Sequence, residues 1–280
     1  MLVANEGHGL AVYIYRPRLQ RGCVSTAIVS LIYLFFKINS PALQMRILLI
    51  LVTNEDYTTA KFAINPNFLQ FPEMYHPRKN NLIFGFFSWY IQYIIKKDFA
   101  AFNYDKIEIR QDSSILVLAN HFSWWDGFFL FYINKKVFKK QFHVLVNAEN
   151  YSKVGFLKYL GAFAAANKGK DVLTTLNYAG QLLDDPANLV LVFPQGKLYS
   201  NHVKNISFEK GVMQMINASQ KKINIIFAAT FIDYFAKRKP SAYTYLQHWE
   251  NEEYVSLQLL KSAYNKHYDQ STVKQTQIIE

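Results

Sequence analysis

The sequence predicts an α/β domain with a largely parallel central sheet flanked by helices, preceded by a membrane-associating helical segment. Three observations carry that prediction. Apolar runs of strand length recur at 115–119, 142–146, 189–193 and 223–229, bounded by polar turns, so they read as buried strands. Stretches with helical apolar spacing, 128–133 and 172–183 among them, stand between these runs. Strands that alternate with helices cross over before pairing, which makes their neighbours parallel.

At 280 residues, 51% of them hydrophobic, the chain can bury one sizeable core with an appendage. Its one cysteine, Cys23, excludes an internal disulfide and a cysteine-cluster metal site. A formal net charge of +11 points to nucleic acid, anionic lipid or an acidic substrate. No nucleic-acid motif accompanies the charge. An aromatic content of 16% beside so many Lys and Arg suits a membrane interface. The expected partners are therefore membrane lipids and an anionic membrane surface, with no nucleic acid.

Residues 1–73 form a partly hydrophobic extension. Its run at 24–36 has 13 residues, short of the roughly 20 needed to span a bilayer, and a second run follows at 48–52. It reads as a membrane-dipping hairpin, as a signal-like segment behind Arg16, Arg18 and Arg21 without a cleavage site, or as a stretch outside the functional domain. Residues 74–98 are expected to hold the membrane-associating helix. Asn81, Gly85, Ser88, Gln92 and Lys96 recur at three- and four-residue steps, one narrow polar stripe on an apolar and aromatic helix. The helix expected over 81–97 is about 25 Å long, marginal against a hydrocarbon core of roughly 30 Å, so it reads as lying in the interface or packing on the core while touching lipid. An ordinary buried helix is the alternative. Residues 99–261 carry the main domain, and 262–280 read as a loosely attached polar tail.

The chemistry centres on Asn120-His121-Phe122-Ser123-Trp124-Trp125-Asp126, between the apolar runs 115–119 and 128–133. A strand-to-helix turn in a buried parallel sheet is where reactive groups emerge. His121 and Asp126 are five apart, roughly 140° around a regular helix, so they meet only if His121 precedes the helix and the chain curls back. Asp126 then fixes the imidazole tautomer, and the other ring nitrogen takes a proton from an attacking hydroxyl. No G-x-S-x-G elbow is present, which favours direct transfer over a serine intermediate.

The string Asn-His-x-Ser-x-x-Asp after a buried strand resembles the first motif of the glycerolipid acyltransferase family, which includes the lysophosphatidic acid acyltransferases. The resemblance extends over roughly residues 80–235. Gly161 and Phe163 resemble the second motif, but Asn167 stands where a phosphate-contacting Arg is common, with Lys168 and Lys170 close by. Phe193-Pro194-Gln195-Gly196-Lys197-Leu198 resembles a third motif that usually reads Phe-Pro-Glu-Gly-Thr-Arg. The downstream Phe208-Glu209-Lys210-Gly211 also looks like the family, and 225–230 corresponds to its fourth motif without the usual Pro.

The resemblance implies a membrane-associated O-acyltransferase of phospholipid biosynthesis, working at the cytoplasmic face of the inner membrane. It implies no metal or prosthetic group, with acyl-CoA or acyl-carrier protein as cosubstrate. His121 and Asp126 are its expected catalytic pair. Asn120, Ser123, Gly161, Lys168, Lys170, Phe193, Pro194, Gln195, Gly196 and Lys197 are its expected substrate-binding residues, with the Gly196 N–H as candidate oxyanion donor. Two usual arginines are absent. Either Lys168, Lys170, Lys197 and Lys204 replace them without the bidentate fork, or the acceptor lacks a phosphate monoester, a reading that a buried Leu198 favours. A thioesterase using the same pair and a non-catalytic lipid-binding protein are the alternatives.

Overall fold

The computed structural model describes residues 29–37, 44–52, 74–109, 111–167, 169–250 and 255–279. The chain divides into two compact units, Met1–Gln70 and Phe71–Glu280. In the first, β1 (Val29–Lys37) and β2 (Gln44–Val52) pair antiparallel, with Val29 opposite Val52. Part of the apolar run at 24–36 and all of the run at 48–52 lie in these two strands; the rest of the extension lies outside the described residues.

The second unit is an eight-stranded sheet with helices on both faces. Its strands are β3 (Met74–Tyr75), β4 (Ala101–Tyr104), β5 (Ser114–Ala119), β6 (Gln141–Leu145), β7 (Ala162–Ala165), β8 (Asn188–Val192), β9 (Ile223–Asp233) and β10 (Ser241–Trp249). Its helices are α1 (Asn81–Asp98), α2 (Trp125–Ile133), α3 (Ala148–Lys153), α4 (Lys170–Leu182), α5 (Gly211–Ala218) and α6 (Leu257–Thr276). The spatial order is β3-β7-β6-β8-β5-β9-β10-β4. The five strands from β7 to β9 are parallel, as expected. The margins are not: β3 is antiparallel to β7, and β10 to β9. The sheet is therefore mixed, because the short link from β9 to β10 allows a direct reversal and no crossover helix.

β5 lies in the middle and is apolar on both faces. Ile115, Val117 and Ala119 pack in a core with Ile91 and Ile95 of α1 and Phe128 and Phe129 of α2. Leu116 and Leu118 pack on the other side with Val212 and Met215 of α5 and Leu260 and Tyr264 of α6. None of the five exceeds 1% exposure. A strand buried on both faces loses the polar–apolar alternation, which is why it reads as a continuous apolar run.

Two expectations are corrected. The stretch from 262 is no loose tail: it is most of α6, capped by the Ser256 hydroxyl accepting the Leu259 N–H at 3.2 Å, with Leu260, Tyr264, His267 and Tyr268 buried. The helix expected over 81–97 forms as α1, capped by Asn80 accepting the Ile83 N–H at 3.0 Å, but its faces are arranged differently. Ser88 is buried with Ile91, Ile94 and Ile95, while Leu82, Phe86, Trp89, Tyr90 and Tyr93 are exposed. At 100° per residue the polar stripe runs along one flank, between an apolar face turned to the core and an aromatic face turned outward. No helix among the described residues is long and apolar enough to cross a membrane.

Gly161 ends a 3-10 turn, Leu157–Leu160, at φ +94°, and a Cβ there would collide with the Phe142 carbonyl oxygen. Both the left-handed backbone and the close approach to β6 demand glycine.

Candidate active site

The register of the sheet assembles the site. Leu118 of β5 pairs with Val192 of β8, so Asn120 and His121 leave β5 beside Pro194 and Gln195 leaving β8. On the other side Ala119 pairs with Ala228 of β9, which carries the chain on to Thr230. Segments more than 70 residues apart thus converge at the carboxyl edge of parallel strands, where open α/β sheets bind ligands.

His121 is held at every polar atom but one. Its N–H donates to Gln195 Oε1 at 2.8 Å, and its carbonyl accepts the Tyr199 N–H at 2.9 Å. Its ring stacks on Phe193, with centroids 4.0 Å apart and planes at 17°. Its Nδ1 lies 2.9 Å from Asp126 Oδ2. The imidazole keeps 21% exposure, so Nε2 is the nitrogen available to a substrate.

Asp126 lies in the first turn of α2, and the chain from His121 curls back onto it. Its Oδ2 also accepts the N–H groups of Phe122 and Ser123, each at 2.9 Å, while the Ser123 hydroxyl accepts the Trp125 N–H at 3.2 Å. Three donors on one oxygen stabilise the carboxylate. Burial works the other way and holds the carboxyl above its ordinary value, against lowering by His121 and the two backbone donors. Oδ1 is buried with no hydrogen-bond partner among the described residues.

Asn120 is a strut. Its Nδ2 donates to the Thr230 carbonyl at 2.9 Å and its Oδ1 accepts the Thr230 N–H at 2.8 Å, which locks the end of β5 to β9. From α6, fully buried Tyr264 donates its hydroxyl to the Ala228 carbonyl at 2.8 Å. Pro194 is buried, and its carbonyl accepts the Glu209 N–H at 2.8 Å, which ties the third motif to the segment leading into α5.

The remaining expected residues divide. Gly196 takes φ +65° and its N–H donates to the Phe193 carbonyl at 3.0 Å, so this turn consumes the donor expected for the oxyanion. Lys197 is exposed, and Leu198, expected to be buried, is 59% exposed. Gly161 is not brought to the site. It precedes β7 at the amino edge of the sheet, roughly 20 Å from His121 at about 3.3 Å per residue and 4.8 Å per strand. The carboxyl end of β7 does reach the edge that carries His121 and delivers Asn167, whose Nδ2 donates to Asp171 Oδ2 at 2.7 Å. Lys170 opens α4 there, and Lys168 lies outside the described residues.

Sequence reasoning missed the aromatic path beside the turn. Trp124, 60% exposed, contacts Phe128 with centroids 5.0 Å apart, and Phe128 contacts Phe156 at 6.2 Å. Phe156 stacks on Phe87 of α1 at 4.2 Å, and Phe87 meets Phe86 of the exposed face at 5.1 Å. The run of aromatics in both segments was visible, but their meeting was not. A separate cavity of about 660 Å³, lined by His202, Lys204, Asp233 and Asp269 among others, begins two residues from Tyr199 and one from Thr230.

Residues 102–229 match the sequence model of the Acyltransferase family, a span that runs from β4 into β9 and contains the whole turn from Asn120 to Asp126. No curated relative matches the chain.

Proposed function

We propose, from the match of residues 102–229 to the Acyltransferase family model and the motif at Asn120–Asp126, that the protein is a membrane-associated enzyme moving a fatty acyl group from a thioester, acyl-CoA or acyl-carrier protein, to a lipid hydroxyl. The observation that carries the reading is His121 held by Asp126 at the carboxyl edge of the sheet, with one ring nitrogen left for substrate. Nε2 of His121 takes the proton of the acceptor hydroxyl as the oxygen attacks the thioester carbonyl carbon. The tetrahedral intermediate expels the thiolate, the C–S bond breaks, and the imidazolium returns its proton to sulfur. Asp126 holds the tautomer and stabilises the transient imidazolium.

Membrane association is supported by α1. Leu82, Phe86, Trp89, Tyr90 and Tyr93 are exposed on one face, above Lys96 and Lys97 in the last turn. Burying a large apolar side chain is worth about 1.5–3 kcal/mol, so five left in water favour an apolar partner. The aromatic path from this face to Trp124 offers an acyl chain an apolar route toward His121. The expected setting is the cytoplasmic face of the inner membrane.

The acceptor we favour is a lysolipid without a phosphate monoester. Where the family commonly has Arg, Asn167 is hydrogen-bonded to a carboxylate, and Leu198 points no charge at a substrate. A dianion beside Asp171 meets repulsion in place of a guanidinium fork. Purified protein with labelled acyl-CoA or acyl-carrier protein and total membrane lipid tests the whole reading. An acceptor-dependent acylated lipid is the expected product, with monoacylglycerol and other lysolipids used at least as well as lysophosphatidic acid. Free fatty acid formed regardless of acceptor makes the protein a thioesterase, and a strong preference for lysophosphatidic acid overturns the acceptor assignment.

A further inference from the structure

A second cavity, of about 470 Å³, opens at the edge of the sheet opposite the catalytic turn. Its walls include Gln141, Phe142 and His143 at the start of β6 and Gly161 just before β7. These are amino ends of strands parallel to β5, whose carboxyl end carries His121. Nothing in the acyl-transfer reading uses this place.

Its chemistry is one-sided. Arg78, Lys79, Lys135, Lys139 and Lys140 line it, and no Asp or Glu does. Lys140 is occupied, with Nζ donating to the Gln111 and Pro186 carbonyls at 2.7 Å each. The other four have no carboxylate partner among the described residues. Like charges gathered in one concavity repel unless an anion joins them, and such a concavity focuses the field on that anion. The floor is different: Phe84 and Phe131 meet edge to face at 6.0 Å, with Phe142 and Leu160 beside them. His143, 3% exposed, also lines the cavity. Burial and the Lys79 charge both hold this imidazole below its ordinary pKa, opposed by Asn188 and Asp185, and a bound anion would offset the Lys79 charge.

The geometry points to this cavity as a binding site for the phosphate of an amphiphile, separate from the acyl-transfer site, with the cationic rim on the phosphate and the phenylalanine floor under the adjoining apolar segment. The shared chemistry is a phosphate ester, whether from the headgroup of an anionic membrane phospholipid or from a soluble phosphate ester. An apolar floor beneath the cations favours the lipid source, since a free phosphate has nothing to place there.

The test uses the full chain and reads binding alone, so its outcome is independent of whether acyl transfer occurs. One variant combines Arg78→Gln, Lys79→Gln and Lys139→Gln. A control of equal charge combines Lys136→Gln, Lys221→Gln and Lys222→Gln, none of which lines the cavity. Each is floated with phosphatidylcholine vesicles, with and without phosphatidic acid or phosphatidylglycerol, and titrated with glycerol phosphate and inorganic phosphate. The expected result is a loss of affinity for anionic vesicles on the order of 100-fold in the cavity variant, taking roughly tenfold or less per cation near a charged surface. The control loses only a few-fold. Unchanged vesicle binding with loss of glycerol phosphate binding in the cavity variant alone also supports the site and assigns it the soluble source. Equal losses in the two variants, or none in either arm, overturn it.

Discussion

The Oε1 of Gln195 accepts the backbone N–H of His121 at 2.8 Å, across 74 positions of sequence, and both residues emerge from neighbouring parallel strands. Only an acceptor oxygen is needed there, so Gln195→Glu should keep most activity, whereas Gln195→Leu leaves a buried N–H unpaired and lets the histidine drift. A fall in kcat on the order of 10²-fold, with KM little changed, is expected for Leu, because small misplacements at a reacting centre are costly. Steady-state kinetics on folded protein, checked by melting, decide it. Equal kcat in the Leu variant removes Gln195 from the positioning of His121.

The proposed mechanism rests on the His121–Asp126 pair, 2.9 Å apart. His121→Ala should abolish transfer, and Asp126→Asn should lower kcat by about 10²- to 10⁴-fold. An amide can still accept from the Phe122 and Ser123 N–H groups, but it cannot stabilise the imidazolium, so the fold should survive. Near-normal turnover in the His121→Ala protein ends the mechanism.

On α1, Phe86 and Trp89 are 55% and 60% exposed. Phe86→Asp with Trp89→Asp should leave the melting temperature nearly unchanged and release the protein from liposomes even at low salt. Liposome binding that survives the double substitution excludes this face as the anchor.

Gly161 is at φ +94° against the Phe142 carbonyl. Gly161→Ala should destabilise by about 2–4 kcal/mol through strain and clash, seen in denaturant unfolding. At roughly 20 Å from His121, the specific activity of the folded fraction should hold. A variant as stable as the parent, or a stable one without activity, contradicts this structural assignment.

His267 is buried, 3.2 Å from the Tyr245 carbonyl, and burial lowers its pKa from 6.5 to about 4, with the Tyr245 bond opposing. The folded state prefers the neutral ring, so the stability is fully present above pH 6.5 and falls as the pH drops through 4. The loss over that window is about 3 kcal/mol at most. Melting temperature against pH should show it, and His267→Phe should flatten the curve. An unaltered pH slope in that variant assigns the acid sensitivity elsewhere.

Local chemistry is legible along the chain because its partners are close in sequence. The turn from His121 to Asp126 closes on itself through the Phe122 and Ser123 N–H groups, and the central strands announce themselves by being apolar on both faces. The parallel centre of the sheet follows from the alternation of strands and helices. The α6 pattern was also present, with Leu260, Tyr264 and Tyr268 four residues apart, but its polar composition hid it.

Other features depend on which surfaces meet, and one-dimensional pattern carries no such information. Hydropathy marks two apolar faces on α1, yet only packing against β5 and α2 selects the face with Ile91 and Ile95 and leaves Trp89 outside. Strand order brings Gln195 and Thr230 to His121 and Asn120 and carries Gly161 to the far edge. The turn at Gly196 spends its N–H on Phe193, a backbone choice that its side-chain pattern does not encode. A hydrogen bond over 3 Å and a packed face have no reach along a sequence; they exist only once register and crossover have placed distant residues side by side.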